Sequence, residues 1–107
     1  MRYKHVFAVC AYKDSPYLEQ CIRSLKAQTV PSHIIICTST PSSYIDRLAW
    51  KYGLQVCVRQ AESGIKDDWN FAYSMAEGEL VTIAHQDDMY HRDYSAGLLA
   101  AHKRYPD

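Results

Sequence analysis

The chain has 107 residues, 48% of them apolar, and its 12 basic residues are balanced by 12 acidic residues. This composition excludes an intrinsically disordered chain, and the lack of a basic cluster predicts that the protein does not bind nucleic acid. No apolar stretch approaches the roughly 20 residues needed to cross a bilayer, so no transmembrane segment is predicted.

The first part of the chain predicts a strand, a turn and a helix. Residues 5–10 (HVFAVC) form a compact apolar run of strand length, and residues 13–16 (KDSP) have the composition of a turn. Ser15 is the predicted N-cap of the helix, with Pro16 in the first turn. The apolar residues of this helix recur at helical spacing: Leu18, Cys21, Ile22 and Leu25.

The middle of the chain predicts a second strand, a second helix and a third strand. Residues 34–37 (IIIC) are continuously apolar, as expected for a strand covered on both faces. Residues 40–43 (TPSS) open the helix, Gly53 follows it as the C′ residue, and residues 54–58 (LQVCV) form the third strand. The predicted core stripe of the helix consists of Ile45, Leu48, Ala49 and Tyr52.

The last part of the chain predicts a helix, a strand and a final helix. Ser63 and Gly64 precede the third helix, Gly78 ends it, and residues 80–84 (LVTIA) form the fourth strand. The final helix runs from about residue 92 to residue 105. The residues of the third helix that are predicted to face the core are Ile65, Trp69, Ala72, Tyr73 and Ala76.

Strands that alternate with helices predict an α/β fold. We expect a Rossmann-like open, mostly parallel sheet of about four strands with flanking helices, in the order βαβαβαβα. Four strands are few for a doubly wound sheet, and an edge strand would be exposed. The fold is therefore expected to be an incomplete domain.

The amino terminus and the cysteines both predict a cytoplasmic protein. Residues 1–4 (MRYK) lead directly into the first strand and do not form a signal peptide with a cleavage site. The four cysteines lie in apolar runs or on a helix stripe, without the spacing of a zinc site. Buried thiols are expected, as in a reducing compartment.

The sharpest functional signal is an acidic pair after the fourth predicted strand. Ligands bind beyond the carboxyl ends of the strands in an open parallel sheet. At that position Asp87 and Asp88 are adjacent, and His85 lies just before them. Like charges this close favour a cation, and carboxylate oxygens suit Mg²⁺ or Mn²⁺. The alternative is that the pair caps the following helix or is simply solvated.

Two further residues have both a structural and a functional interpretation. Tyr12, at the end of the first strand, either stacks on a nucleobase or covers the sheet edge. Asn70 lies in the third helix, where its amide is in range of the loop or of a ligand. The aromatic residues of that helix are interpreted as core.

The ordered set of motifs resembles the amino-terminal half of a family 2 glycosyltransferase with the GT-A fold, over essentially all 107 residues. The resemblance begins with the first strand, its turn and the helix that ends in Gln-Thr. It continues with a glycine, an asparagine-containing helix and a strand that runs into the acidic pair. The matching segments are residues 9–14 (VCAYKD), 17–22 (YLEQCI), 24–29 (SLKAQT), Gly64, Asn70, Ala72, 76–81 (AEGELV) and 85–88 (HQDD).

The resemblance implies a role for each segment at the carboxyl edge of the sheet. A nucleotide-diphospho-sugar is the implied donor, and Mg²⁺ or Mn²⁺ is the implied cofactor, which neutralises charge on the leaving diphosphate. The residues implied in nucleotide-sugar binding are Ala11, Tyr12, Asp14, Thr38, Lys66, Asn70 and Asp87. The residues implied in metal binding are Asp88, Asp87 and His85.

The sequence departs from the family pattern in three places. Residues 38–41 (TSTP) replace the usual acidic segment after the second strand, so a carboxylate contact to the base is missing. His85 replaces the first acidic residue and contributes no negative charge. The catalytic base of inverting members comes from the second half of the domain, so no catalytic residue is assigned.

Two functional hypotheses follow. In the first, residues 1–107 are the nucleotide-sugar-binding portion of a glycosyltransferase that, when complete, transfers a sugar to a carbohydrate or lipid acceptor. In the second, they are a degenerate, non-catalytic module that binds a partner or self-associates through an exposed sheet edge. A phosphoryl-transfer enzyme is disfavoured because the chain has no P-loop.

Overall fold

The computed structural model describes residues 3–105, in which strands and helices alternate. Met1 and Arg2, which the prediction about targeting used, lie outside the described residues, as do Pro106 and Asp107. Within the described range no helix is long and apolar enough to cross a membrane. The elements are β1 (Tyr3–Ala11), α1 (Leu18–Lys26), β2 (His33–Thr38), α2 (Ser43–Tyr52), β3 (Gln55–Val58), α3 (Ile65–Met75), β4 (Gly78–His85) and α4 (Tyr94–Arg104).

The strands form one parallel sheet in the order β3-β2-β1-β4. The predicted α/β class, the parallel pairing and the element order are therefore confirmed. The chain builds outward from β1 through β2 to β3 and then returns to place β4 on the other side of β1. This reversal makes the carboxyl ends of β1 and β4 diverge, which is where open α/β sheets bind ligands.

The central strand β1 is buried on both faces. Val6, Phe7, Ala8 and Val9 are all 0% exposed. Phe7 and Val9 pack with α1 and α2, while Val6 and Ala8 pack on the opposite face, which α3 covers. The predicted stripes of α1 and α2 are buried as expected, except for the half-buried Tyr52: Leu18, Cys21, Ile22, Leu25, Ile45, Leu48 and Ala49.

The predicted helix caps are correct for α2 and wrong for α1. Ser42 caps α2 through its Oγ atom, and Gly53 ends it with a φ of 66°. Ser15 does not cap α1, because the helix begins later and has Tyr17 as its N-cap residue. Ser15 instead accepts the Tyr17 N–H in a turn at 3.2 Å and donates its hydroxyl to Asp87 at 2.9 Å.

The rotation of α3 differs from the prediction. Ala72 is buried as predicted and Ala76 is half-buried. Asp68 and Phe71 complete the inward stripe. Asp68 faces inward because its carboxylate accepts hydrogen bonds from Ser39 and Arg59. Three apolar residues that were predicted to face the core are exposed instead, by 75%, 47% and 67% respectively: Ile65, Trp69 and Tyr73.

A polar network centred on His5 crosses the core. His5 is 2% exposed, and its Nδ1 and Nε2 atoms each lie 2.7 Å from a hydroxyl, on Ser32 and Thr82 respectively. Ser32 donates onward to Ser95 at 3.0 Å, and the Tyr94 hydroxyl lies 3.2 Å from that of Thr82. The network joins β1, β4 and α4 and satisfies a neutral imidazole, and burial lowers the pKa of His5.

We expect the free energy of unfolding to decrease as the pH is lowered below about 6.5, because the buried His5 resists protonation. The unfolded imidazole binds a proton near that pH, whereas the folded imidazole resists protonation. The contribution of His5 to the free energy of unfolding is therefore complete above pH 6.5 and is lost as the pH falls. For one proton this loss is at most about 1.4 kcal/mol per pH unit. Urea unfolding at pH 7.5 and 5.5 measures this loss. His5→Gln should reduce it, and an unchanged pH dependence in that variant would contradict the assignment.

We expect Gly78→Ala to destabilise the protein by about 1–3 kcal/mol through overpacking. A Cβ atom at Gly78 would lie 2.8 Å from Val6 Cγ2 and 2.9 Å from the Leu80 carbonyl oxygen. Gly97 in α4 is the matched control, because an added Cβ there meets no atom within 4 Å. Gly97→Ala should raise stability by about 0.5–1 kcal/mol. Equal effects of the two substitutions in urea unfolding would refute the packing explanation.

Candidate functional site

The carboxyl ends of β1, β2 and β4 surround an open cavity of about 450 Å³, and the amino-terminal half of α3 forms another wall. The cavity thus lies at the end of the sheet that the sequence predicts. Its lining combines thiols and aromatic rings with hydroxyls and carboxylates. The lining residues are Cys10, Ala11, Tyr12, Cys37, Thr38, Ser39, Ser63, Gly64, Ile65, Asp68, Trp69, Phe71, His85, Gln86 and Asp87.

A side chain from the end of β4 holds the end of β1. Gln86 is 8% exposed, and its Oε1 accepts the Tyr12 N–H at 3.0 Å. Its Nε2 donates to the Tyr12 carbonyl at 3.1 Å. The two bonds occupy both backbone polar groups of one residue, as a neighbouring strand would. They fix the backbone of Tyr12 against the strand that carries the acidic pair.

The acidic pair lies directly after β4. Asp87 is half-exposed and accepts the Ser15 hydroxyl through Oδ1 at 2.9 Å. Its backbone N–H donates to His85 Nδ1 at 3.3 Å. The Asp87 carboxylate approaches the same ring nitrogen, with Oδ2 3.9 Å from Nδ1. Asp88 is exposed and its N–H donates to the His85 carbonyl at 3.0 Å.

The residues that follow the acidic pair are held by the carboxyl end of α1. The Tyr90 N–H donates to Ser24 Oγ at 3.0 Å, and Gln28 Nε2 donates to the His91 carbonyl at 2.8 Å. The Thr29 N–H donates to the Arg92 carbonyl, also at 2.8 Å. Ser24 in α1 and the Gln28-Thr29 segment just after the helix therefore position the loop that carries the two carboxylates.

The wall formed by α3 is centred on the mostly buried carboxylate of Asp68. Asp68 Oδ1 accepts from Arg59 Nη1 at 3.1 Å, and Oδ2 accepts from Ser39 Oγ, also at 3.1 Å. Ser39 and Ser63 hydroxyl oxygens lie 2.7 Å apart. Both side chains of the Arg59–Asp68 ion pair are about four-fifths buried, at 20% and 21% exposure. This wall is polar, and Arg59 is shared by two carboxylates, because its Nη2 also lies 3.6 Å from Asp67 Oδ2.

The cavity floor includes part of a row of thiols. Cys10 pairs with Cys37 across β1 and β2, and Cys37 pairs with Cys57 across β2 and β3. Burial raises the pKa of Cys10 to about 11, with a further contribution from the Asp68 carboxylate, and burial also raises the pKa values of Cys37 and Cys57. All four cysteines are free; three are buried as predicted, whereas Cys10 is half-buried. Protonated thiols give a neutral floor without a nucleophile.

The structure brings together some of the residues implied in binding and leaves others apart. Ala11, Tyr12, Thr38, His85 and Asp87 all line the cavity. The four that do not line the cavity are Asp14, Lys66, Asn70 and Asp88. The binding roles of all nine residues stay predictions.

The residues outside the lining have distinct surroundings. Asp14 accepts the Ser42 hydroxyl at 2.7 Å and so joins the end of β1 to the start of α2. Lys66, Asn70 and Asp88 are exposed. Among residues 3–105, no group of three or more His, Cys, Asp or Glu side chains is arranged to hold a metal ion.

The lining residues that the sequence did not assign to the site include Asp68, Trp69 and Gln86. Trp69 was interpreted as core, and Asp68 and Gln86 were not singled out. The spacing of Asp68 four residues before the buried Ala72 was a signal for an inward carboxylate. Gln86 gave no local signal, since its partner lies 74 positions earlier in the chain.

Comparisons with known proteins identify the family and the fold. No curated protein matches the chain significantly. The crystal structure of S. aureus TarS 1–349 matches 94% of this chain and 32% of its own length, with 21% identity and a TM-score of 0.84. A crystal structure of S. aureus TarS matches 95% of this chain and 20% of its own length, with the same identity and TM-score.

A third solved structure is the mannosyltransferase PcManGT from Pyrobaculum calidifontis, in complex with GDP-Man and Mn²⁺. It matches 92% of this chain and 32% of its own length, with 19% identity and a TM-score of 0.77. The chain thus spans about a third or less of these proteins, and the shared fold confirms the predicted GT-A architecture. Residues 6–107 match the sequence pattern described as Glycosyl transferase family 2. The chain therefore belongs to glycosyl transferase family 2.

Proposed function

We propose that the chain forms the nucleotide-sugar-binding part of a metal-dependent glycosyltransferase. The observation that carries the proposal is the charge of the cavity. Asp87 lines it and Asp88 is the next residue, whereas no Lys or Arg side chain is among the lining residues of the described range. A diphosphate would therefore meet like charge at the end of β4. A divalent cation held by these carboxylates would supply the missing positive charge for the diphosphate.

The ligand chemistry at the end of β4 fits Mg²⁺ or Mn²⁺. These ions are commonly held by one or two carboxylates together with substrate phosphates, so a complete protein cage is not required. Asp87 and Asp88 provide hard oxygen ligands, and hydrogen bonds already fix the loop that carries them. With His85 Nδ1 accepting the Asp87 N–H, the ring proton lies on Nε2, which can donate to a phosphate oxygen. Metal ligation by His85 requires the unprotonated nitrogen and would take the place of that bond at Nδ1. When bound, the ion neutralises charge on the leaving diphosphate.

The nucleoside is assigned to the remainder of the cavity. Ala11, Tyr12 and Thr38 lie at the ends of β1 and β2 and would contact the base and ribose. Lys66 and Asn70 remain candidates for contacts at the rim, and Asp14 for a contact from the β1 turn. The complex of the mannosyltransferase with GDP-Man and Mn²⁺ supports this class of donor, and the transfer of the sugar to a carbohydrate or lipid acceptor belongs to the proposal.

A second candidate function is a non-catalytic module that self-associates or binds a partner chain. The sheet has β3 and β4 at its edges, each with one neighbouring strand among the described residues. An exposed stripe on α3, formed by Ile65, Trp69 and Tyr73, supports the same alternative.

We expect nucleotide binding that depends on a divalent cation and on Asp88. Calorimetric titration with UDP-, GDP- and dTDP-sugars, with and without Mn²⁺, should show heat of binding for at least one donor only when the metal is present. Asp88→Asn should weaken that binding roughly tenfold or more, because a hard ligand is lost. Asp46→Asn on α2 is the matched control and should change nothing. Binding that ignores both Mn²⁺ and Asp88 would refute the metal assignment.

The second candidate predicts a stable self-associated species that does not respond to nucleotide. Size-exclusion chromatography with light scattering, run with and without UDP and Mn²⁺, measures the mass in solution. A monomer that binds nucleotide would exclude self-association as the function. A dimer that persists in every condition, with no nucleotide binding, would favour it over the glycosyltransferase.

A further inference from the structure

We propose that Trp69 is a nucleotide-binding residue that stacks on the base of the bound nucleotide, together with Tyr12. This inference rests on the proposed function and adds the contact that recognises the planar part of the ligand. The first observation is the unexpected exposure of a tryptophan on α3. Trp69 was expected in the core, yet its side chain is 47% exposed and lines the cavity.

The orientation of Trp69 is fixed by its neighbour in the chain. Asp68 points inward and is bonded to Ser39 after β2 and to Arg59 after β3. These bonds set the rotation of α3 and direct the following residue to the rim of the same cavity. A large apolar ring is thereby kept partly in water, at the cost of the free energy that burial would contribute. A ligand that covers the ring would recover that contribution.

The two ends of the cavity are separated by a distance that suits a nucleotide. Asp68 lies against the end of β2, whereas Asp87 follows β4, and β1 lies between these strands. Neighbouring strands are about 4.8 Å apart, so the two ends are separated by about 10 Å. A nucleoside diphosphate spans a comparable distance from its base to its phosphates. With the diphosphate at Asp87, the base lies on the side of Trp69.

Tyr12 supplies a second aromatic side chain in the same cavity. It is 46% exposed, and the two hydrogen bonds from Gln86 hold its backbone. Lys13 Nζ lies 5.2 Å from the centroid of its ring, so part of the ring is in contact with a cation. Two exposed aromatic rings around one cavity suit a planar, π-bonded ligand, and stacking of this kind tolerates different bases.

Tryptophan fluorescence tests this inference directly, because the chain has two tryptophans and the other one is remote. Trp50 is 87% exposed on α2 and does not line the cavity. In the Trp50→Phe variant, the emission of Trp69 alone is followed during titration with UDP, GDP, inorganic diphosphate and ribose 5-phosphate in the presence of Mg²⁺. We expect quenching by the two nucleotides and no quenching by the two ligands that lack a base.

Calorimetry with three further variants measures how much the Trp69 ring contributes to nucleotide affinity. Trp69→Ala should weaken UDP and GDP binding roughly 5- to 100-fold while leaving inorganic diphosphate binding unchanged. Trp69→Phe should retain most of the nucleotide affinity, and Trp50→Ala should have no effect. Thermal unfolding of each variant checks that the fold is intact, as expected for exposed side chains.

The possible failures separate the two proposals. If Trp69→Ala binds nucleotides like the unchanged chain while Asp88→Asn does not, the stacking role is refuted and the proposed function remains. If neither nucleotides nor inorganic diphosphate bind to the unchanged chain, both proposals fail. Quenching by ribose 5-phosphate equal to that by the nucleotides would place the sugar at Trp69 and would also overturn the inference.

Discussion

The parallel pairing of β1 with β4, closed at its carboxyl end by Gln86, is the constraint on which the site depends. Seven registered residue pairs align the two strands, from Tyr3 opposite Gly78 to Cys10 opposite His85. Beyond the last pair the chains diverge, and the Gln86 amide bridges them through both polar groups of Tyr12. The cavity can therefore open between the two loops without leaving the Tyr12 backbone groups unpaired, which would be costly.

The acidic loop depends on a helix that is distant in sequence. α1 packs its apolar stripe beneath β1, while its carboxyl end presents Ser24, Gln28 and Thr29 to the segment after β4. Ser15, just before the helix, bonds one oxygen of Asp87. Packing of one helix therefore holds the acidic loop from two sides and fixes one oxygen of Asp87. In the proposed metal site, a carboxylate held in this way would bind a cation with little further loss of conformational entropy.

The sequence predicted those features that arise from short-range periodicity. The strand order in the chain, the buried stripes of α1 and α2, and the acidic pair after the fourth strand were all visible locally. The rotation of α3 was not, because Ile65, Trp69 and Tyr73 form as good an apolar stripe as the one that is buried. Long-range polar contacts of Asp68 decide between the two stripes. Such contacts join residues that only the folded sheet brings together.

The electrostatics of the cavity follow from the same arrangement. At the end of β2 Asp68 forms an ion pair with Arg59, the thiols are protonated, and two aromatic rings are exposed. At the end of β4 Asp87 and Asp88 lack a Lys or Arg partner among the described residues that line the cavity. One end thus suits a flat, neutral ring and the other a cation with its phosphates. Because β1 separates these ends, the strand order itself sets the direction in which the proposed nucleotide binds.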